Sequence, residues 1–221
     1  MRPSFAARRG WLVAALLCAA AFAALAVVLS VGDGRLGAFD AAVAGWLRAR
    51  RTPEATMAAI DLTALGSSAL VTLVTLVCCA LFALRRDARA VAQIAVASAG
   101  AGLLTRLVKA HFERARPADL PPLVQALGYS FPSGHTVMAT ALYLTFAVLA
   151  LRVFRRPRER AAVFAIALLV IAIVGATRVY LGVHHPSDVL AGLAVGSAWA
   201  CLLAALIGYP SALDAPSAPG R

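Results

Sequence analysis

From residue 11 to residue 31 the chain carries no charged side chain. A helix rises about 1.5 Å per residue, so this run matches the roughly 30 Å hydrocarbon core of a bilayer. Lipid offers backbone N–H and C=O groups no partner, which leaves only helices and closed barrels as spanning structures. The run is continuously apolar and does not alternate, so it reads as a helix. Comparable runs cover about 65–84, 90–108, 134–151, 161–176 and 189–207. The sequence therefore predicts an all-α fold, a polytopic membrane protein built as a bundle of six transmembrane helices. Hydrophobic residues make up 62% of the chain and charged residues only 14%; a soluble domain carries about a quarter charged.

Arginine sets the expected orientation. Arg2, Arg8 and Arg9 precede the first span, Arg85, Arg86 and Arg89 separate the second from the third, and Arg152, Arg155, Arg156, Arg158 and Arg160 separate the fourth from the fifth. With six spans these segments share one side, which the positive-inside rule makes cytoplasmic. This clustering between spans is the reason the net charge of +11 is not read as nucleic-acid binding. The expected division is a cytoplasmic N-terminus at 1–10, a membrane domain over 11–208 and a flexible tail at 209–221. The first apolar run is too long for a signal h-region and other spans follow, so it is read as a retained helix. The 32–63 segment should be a periplasmic loop. Phe39, Val43, Trp46 and Leu47 fall on one helical face there, which suits a helix lying in the interface. Its Arg35, Arg48, Arg50 and Arg51 would meet anionic headgroups or form a solvated face without a role.

Cys18, Cys78, Cys79 and Cys201 all lie inside apolar runs and read as small packing residues. Gly192 and Gly196 form a small-x-x-x-small pair in the sixth span. Such a pair serves a homodimer seam or close packing within the bundle.

The titratable chemistry is confined to one stretch. Lys109 is the only lysine, and His111, His135, His184 and His185 all lie between it and Asp188. Three segments stand out: Lys109-x6-Arg116-Pro117, Pro132-Ser133-Gly134-His135, and Thr177-Arg178-x5-His184-x3-Asp188. Singly each has a plain explanation as an anchor, a helix start or a turn. Together they bring cations, imidazoles and a carboxylate to one membrane face, where ionisable groups are costly and mark function. Phosphoryl transfer uses this inventory. Fixed cations hold the phosphoryl oxygens, helix N–H groups add an anion cradle, and an imidazole held by a carboxylate attacks phosphorus.

These segments resemble, in order and spacing, the three motifs of the type 2 phosphatidic acid phosphatase family, itself similar to vanadium haloperoxidases and glucose-6-phosphatase. Thr177 stands where that family usually has serine. The resemblance implies that His184 is the nucleophile and forms a phosphohistidine, that Asp188 orients it, and that His135 is the general acid and then the base. It implies that Lys109, Arg116 and Arg178 bind phosphoryl oxygens with Ser133 and Gly134, and that neither a metal nor another cofactor is needed. His111 and His185 match no motif position. The function so implied is hydrolysis of a membrane lipid phosphate, with the site facing the periplasm of a bacterial inner membrane. Undecaprenyl diphosphate, phosphatidic acid, phosphatidylglycerol phosphate and lipid A phosphates are candidate substrates, with a polyprenyl diphosphate or simple phospholipid phosphate preferred. Two rivals are a metal-dependent hydrolase using His135, His184, His185 and Asp188, and a transporter or anion-binding membrane protein that keeps the phosphate site without turnover.

Overall fold

The computed structural model describes residues 5–32, 34–118 and 121–207, and the expected flexible tail at 209–221 lies outside them. The described residues form eight α-helices: α1 (Phe5–Val31), α2 (Arg35–Arg48), α3 (Pro53–Thr63), α4 (Ser68–Leu84), α5 (Ala88–Phe112), α6 (Gly134–Ala150), α7 (Pro157–Tyr180) and α8 (Pro186–Ile207). A short 3-10 turn, Ala64–Gly66, joins α3 to α4.

Every regular element among the described residues is a helix, as the apolar runs predict. By length and hydropathy α1, α5, α7 and α8 can each cross a membrane. The α3–turn–α4 unit passes the same test as one span bent by 46°. The α6 helix has 17 residues and is apolar but shorter. The helices overrun several expected bounds: α7 begins at Pro157 and continues through Arg178 to Tyr180. In the 32–63 segment α2 covers the helical face formed by Phe39, Val43, Trp46 and Leu47, and a second helix, α3, follows it. Thr52 caps α3 through its side chain, which accepts from the Ala55 N–H, with Pro53 at the first helical position.

The apolar residues of α6 do not favour one face, and a helix of that kind belongs inside a bundle. It packs on α5, α7 and α8. Val137, Met138, Ala141, Leu142 and Leu149 of α6 join Val71, Ile94, Ala101 and Val195 in the main core. The small-residue pair of α8 faces α6. A Cβ on Gly192 would stand 2.9 Å from the Ser133 carbonyl oxygen, and one on Gly196 would stand 2.6 Å from Thr140 Cβ. The pair therefore serves packing within the chain, and its face is covered. The cysteines act as packers: Cys78 and Cys79 lie against the core and Cys201 is buried, all as free thiols.

The C-terminal ends of α5 and α7 meet the N-terminal ends of α6 and α8 at one end of the bundle, together with α2 and α3. The arginine-rich connections lie at the other end, where Arg152 pairs with Asp87 at 2.5 Å and Arg8 donates to the Ala205 carbonyl at 3.1 Å.

Gly196→Val should lower the unfolding free energy by about 1–3 kcal/mol through overpacking. Gly37→Ala, with open space around the added methyl, should be neutral or slightly stabilising. Thermal unfolding in detergent checks both, and equal effects would contradict the α6–α8 contact.

Candidate active site

His184 lies in the short connection between α7 and α8 and is 3% exposed. Its Nδ1 is 3.4 Å from Asp188 Oδ2, and its Nε2 is 3.3 Å from Arg116 NH1. The contact to Asp188 is longer than a strong N–H···O bond. A carboxylate only accepts and a guanidinium only donates, so Nδ1 carries the hydrogen and Nε2 presents its lone pair. Burial drives the His184 pKa down to about 4, against the opposing pull of Asp188. The ring is therefore neutral at pH 7, with its free nitrogen turned towards cations.

Asp188 is in the first turn of α8 and has no exposed surface. Besides His184 it accepts from the His185 backbone N–H at 2.8 Å, from Arg114 at 2.6 Å and from the Ser130 hydroxyl in a short hydrogen bond. Ser130 Oγ also lies 3.5 Å from His184 Nδ1. The start of α6 is tied to this turn, since the Ser133 N–H donates to the Asp188 carbonyl at 3.0 Å.

The cations come from three elements. Lys109, in the last turn of α5, donates to the Tyr129 carbonyl in a short bond. Arg116, in the connection between α5 and α6, donates to the carbonyls of Gly128 at 2.9 Å, Leu127 at 2.8 Å and Val183 at 2.7 Å. These carbonyls aim both cations at the site. Arg178, in the last turn of α7, is 5% exposed and donates to Thr63 Oγ1 at 2.9 Å. Its Nε is buried and has no acceptor among the described residues. A buried N–H of this kind is costly unless something fills it.

His135, in the first turn of α6, feels the charge of Arg178, His184, Arg116 and Lys109. With Ser68, Thr105, Lys109, Gly134 and Met138 it lines a cavity of about 450 Å³ between α4, α5 and α6. A Cβ on Gly134 would meet Thr105 Cγ2 at 3.2 Å and Lys109 Cε at 4.0 Å, so glycine lets the α6 terminus sit beside the lysine. The first N–H groups of a helix have no partner within it, and here they open next to Lys109 and His135. Ser133 accepts from Thr136 Oγ1 at 3.0 Å and makes no side-chain cap bond; its own hydroxyl hydrogen is not used by that contact. Thr177 Oγ1 folds back onto the Val174 carbonyl at 2.7 Å, so the departure from serine is absorbed within α7.

All the residues read from the three motifs thus gather at one end of the bundle. Sequence reasoning missed Ser130, Arg114 and Asp40. Ser130 stands two residues before Pro132, and Arg114 between Lys109 and Arg116. Asp40 of α2 is 4% exposed and accepts from Arg114 at 2.8 Å and from the Ser187 N–H at 2.8 Å. The available signal was a lone carboxylate on an otherwise apolar helix face. Arg51, read as a headgroup contact or a residue without a role, donates to the Tyr180 carbonyl at 2.9 Å and fastens α7. His185 contributes its backbone N–H, and His111 packs edge-on against Phe112.

Residues 90–211 match the profile of the PAP2 superfamily. The segment of this chain similar to phosphatidylglycerophosphatase B of Bacillus subtilis is 39% identical over 95 residues, 42% of this chain and 46% of that protein. Over 115 residues, 48% of this chain and 45% of the other, the chain is 40% identical to lipid A 1-phosphatase of Rhizobium etli. The chain thus spans about half the length of the curated relatives it matches. The fold is similar to the crystal structure of a transmembrane PAP2-type phosphatidylglycerolphosphate phosphatase from Bacillus subtilis, with a TM-score of 0.78 and 27% identity. That likeness covers 86% of this chain and 94% of the other. The superfamily profile covers more than half of the chain, and the chain belongs to the PAP2 superfamily.

If His184 must be neutral to react, the limb of kcat/KM that reports loss of the reacting base should lie near pH 4, because burial depresses its pKa. An acid limb in kcat/KM that moves up to about 6.5, the ordinary histidine value, would show that the imidazole is not desolvated as described.

Proposed function

We propose that this PAP2 superfamily member is an integral-membrane lipid phosphatase that hydrolyses a lipid phosphate monoester or diphosphate through a phosphohistidine. The observation that carries this reading is the buried neutral His184, with Asp188 behind Nδ1 and Arg116 in front of Nε2. Nε2 attacks phosphorus, and the bond from phosphorus to the lipid oxygen (or to the bridging oxygen of a diphosphate) breaks. His135 donates a proton to the departing oxygen. Water then attacks the phosphohistidine, His135 takes its proton, and the N–P bond breaks to release phosphate. Lys109, Arg116 and Arg178 spread charge around the transferring group. The unused N–H of Arg178 and the opening turn of α6 at Ser133 and Gly134 supply further donors. The names of the relatives support phosphatidylglycerol phosphate, one of the simple phospholipid phosphates preferred above beside a polyprenyl diphosphate, or a lipid A phosphate as substrate class.

A metal-dependent route fits the residues less well. Asp188 already accepts from Arg114, Ser130 and the His185 N–H, and among the described residues His, Cys, Asp and Glu form no group of three able to hold an ion. A transporter or binder without turnover would have no use for the desolvated imidazole.

The six-span layout with a periplasmic site belongs to the same reading. It takes the bent α3–α4 unit as one span and α6 as a short internal one. The arginine-rich connections at the opposite end are cytoplasmic by the positive-inside rule. In a chain freed of native cysteines, an impermeant thiol reagent applied to intact cells should label Leu127→Cys and spare Arg155→Cys. The reverse pattern would invert the orientation.

Phosphate release from a panel of phosphatidylglycerol phosphate, phosphatidic acid, lipid A and undecaprenyl diphosphate tests the activity. His184→Ala should abolish turnover. His135→Ala should reduce it by about 10²–10⁴-fold, less for substrates with better leaving groups. Turnover that survives His184→Ala would remove the covalent route. A uniform loss across leaving groups would remove the acid role of His135.

A further inference from the structure

Arg114 is held from both sides. One terminal nitrogen, NH2, donates to Asp40 Oδ2 at 2.8 Å, and the other, NH1, donates to Asp188 Oδ1 at 2.6 Å and to Ser187 Oγ at 2.7 Å. Asp40 in turn accepts from the Ser187 backbone N–H at 2.8 Å and from its hydroxyl at 2.7 Å. The guanidinium therefore bridges a carboxylate of α2 to the carboxylate behind His184, and both bind the opening turn of α8. Asp40 and Asp188 are 5% and 0% exposed at the side chain, and Arg114 only 15%. Two carboxylates this deeply buried would repel each other without the cation between them. Neither Asp40 nor Arg114 hydrogen-bonds to His184, and neither is a fixed position of the three motifs.

We propose that Asp40 and Arg114 form a positioning pair that fixes the rotamer and ionisation of Asp188, and through it the orientation and basicity of His184. The inference rests on the hydrolytic reading above. The charges work in opposition. Arg114 draws on the carboxylate that supports the His184 imidazolium, and Asp40 offsets Arg114. Removing the Arg114 charge leaves Asp188 a stronger partner for His184, while removing the Asp40 charge leaves Arg114 uncompensated. The groups facing His184 from other elements, Lys109 of α5, Arg116 of the α5–α6 connection, His135 of α6 and Arg178 of α7, are unchanged in both variants, as is His185 beside Asp40.

The test measures kcat, KM and the acid limb of kcat/KM for Arg114→Gln, Arg114→Lys and Asp40→Asn in the purified full chain, with a lipid phosphate the parent protein turns over. Arg114→Gln should lose at least about tenfold in kcat, the scale on which orienting partners act, with KM within about twofold. Its acid limb should move to higher pH. Asp40→Asn should move the limb to lower pH. Arg114→Lys keeps the charge but loses the planar fork that spans two carboxylates; its limb should stay with the parent's while that of Arg114→Gln moves, a shift that loss of folded protein cannot produce. Limbs that stay still, or move the same way in Arg114→Gln and Asp40→Asn, would assign the pair a structural role and overturn the inference. A rise in KM at constant kcat would instead make Arg114 a substrate contact and overturn it equally. If the parent protein releases no phosphate from any lipid in the panel, the hydrolytic reading fails, and this inference with it. An active parent with near-normal variants sinks this inference alone.

Discussion

A carboxylate with no exposed surface has to be matched by its surroundings, and Asp188 is the group on which the site end of the bundle depends. Taking an ion out of water costs several kcal/mol even after relaxation. Asp188 meets this with a guanidinium, a hydroxyl, a backbone N–H and an imidazole. The partners come from two places: Arg114 and Ser130 from the connection between α5 and α6, and His184 and His185 from the turn before α8. The connection is therefore pinned at both its ends, with Lys109 and Arg116 holding its carbonyls at 127–129. Its α2 neighbour is fixed through Asp40. One buried charge thus gathers segments that are distant in sequence, and the cations that would grip a phosphoryl group arrive as part of the same arrangement.

The helices were legible because the bilayer constraint is severe. An uncharged run from 11 to 31 has one outcome in lipid, and α1 covers it. The grouping of the candidate site's residues was legible for a related reason, since charges are scarce in this chain and so stand out against an apolar background. What escaped reading were the partners that act through tertiary contact. Asp40 lies 148 positions from Asp188 in sequence, and no local spacing connects them; only the packing of α2 on α8 does. Arg114 had too many arginine neighbours to be distinguished. In the 32–63 segment one helical face was legible, but the tertiary bonds by which Asp40 and Arg51 anchor other helices were not. Long-range satisfaction of a polar group leaves no periodic trace.

The two ends of the bundle show that residue type does not settle energetics. At the arginine-rich end Arg152 meets Asp87 at 2.5 Å with side chains 35% and 22% exposed. An exposed pair of that kind is worth about 0–1 kcal/mol, and its value falls with salt. At the site end Arg114 meets Asp188 at 2.6 Å with side chains 15% and 0% exposed. The distances are nearly equal, but the solvent is not. Losing one partner at the arginine-rich end returns the other to water. Losing one at the site end strands a charge, which is why breaking a buried pair costs about 3–5 kcal/mol. The arginines of the first kind are free to serve orientation in the membrane, since their exact geometry carries little energy. Arginines of the second kind have one permitted geometry. That rigidity is what a reacting group requires: catalysis by electrostatics works when donors are in place before charge develops. In the proposed reaction Asp188 already stands behind Nδ1, and the Arg116 N–H now facing Nε2 passes to a phosphoryl oxygen as phosphorus takes its place.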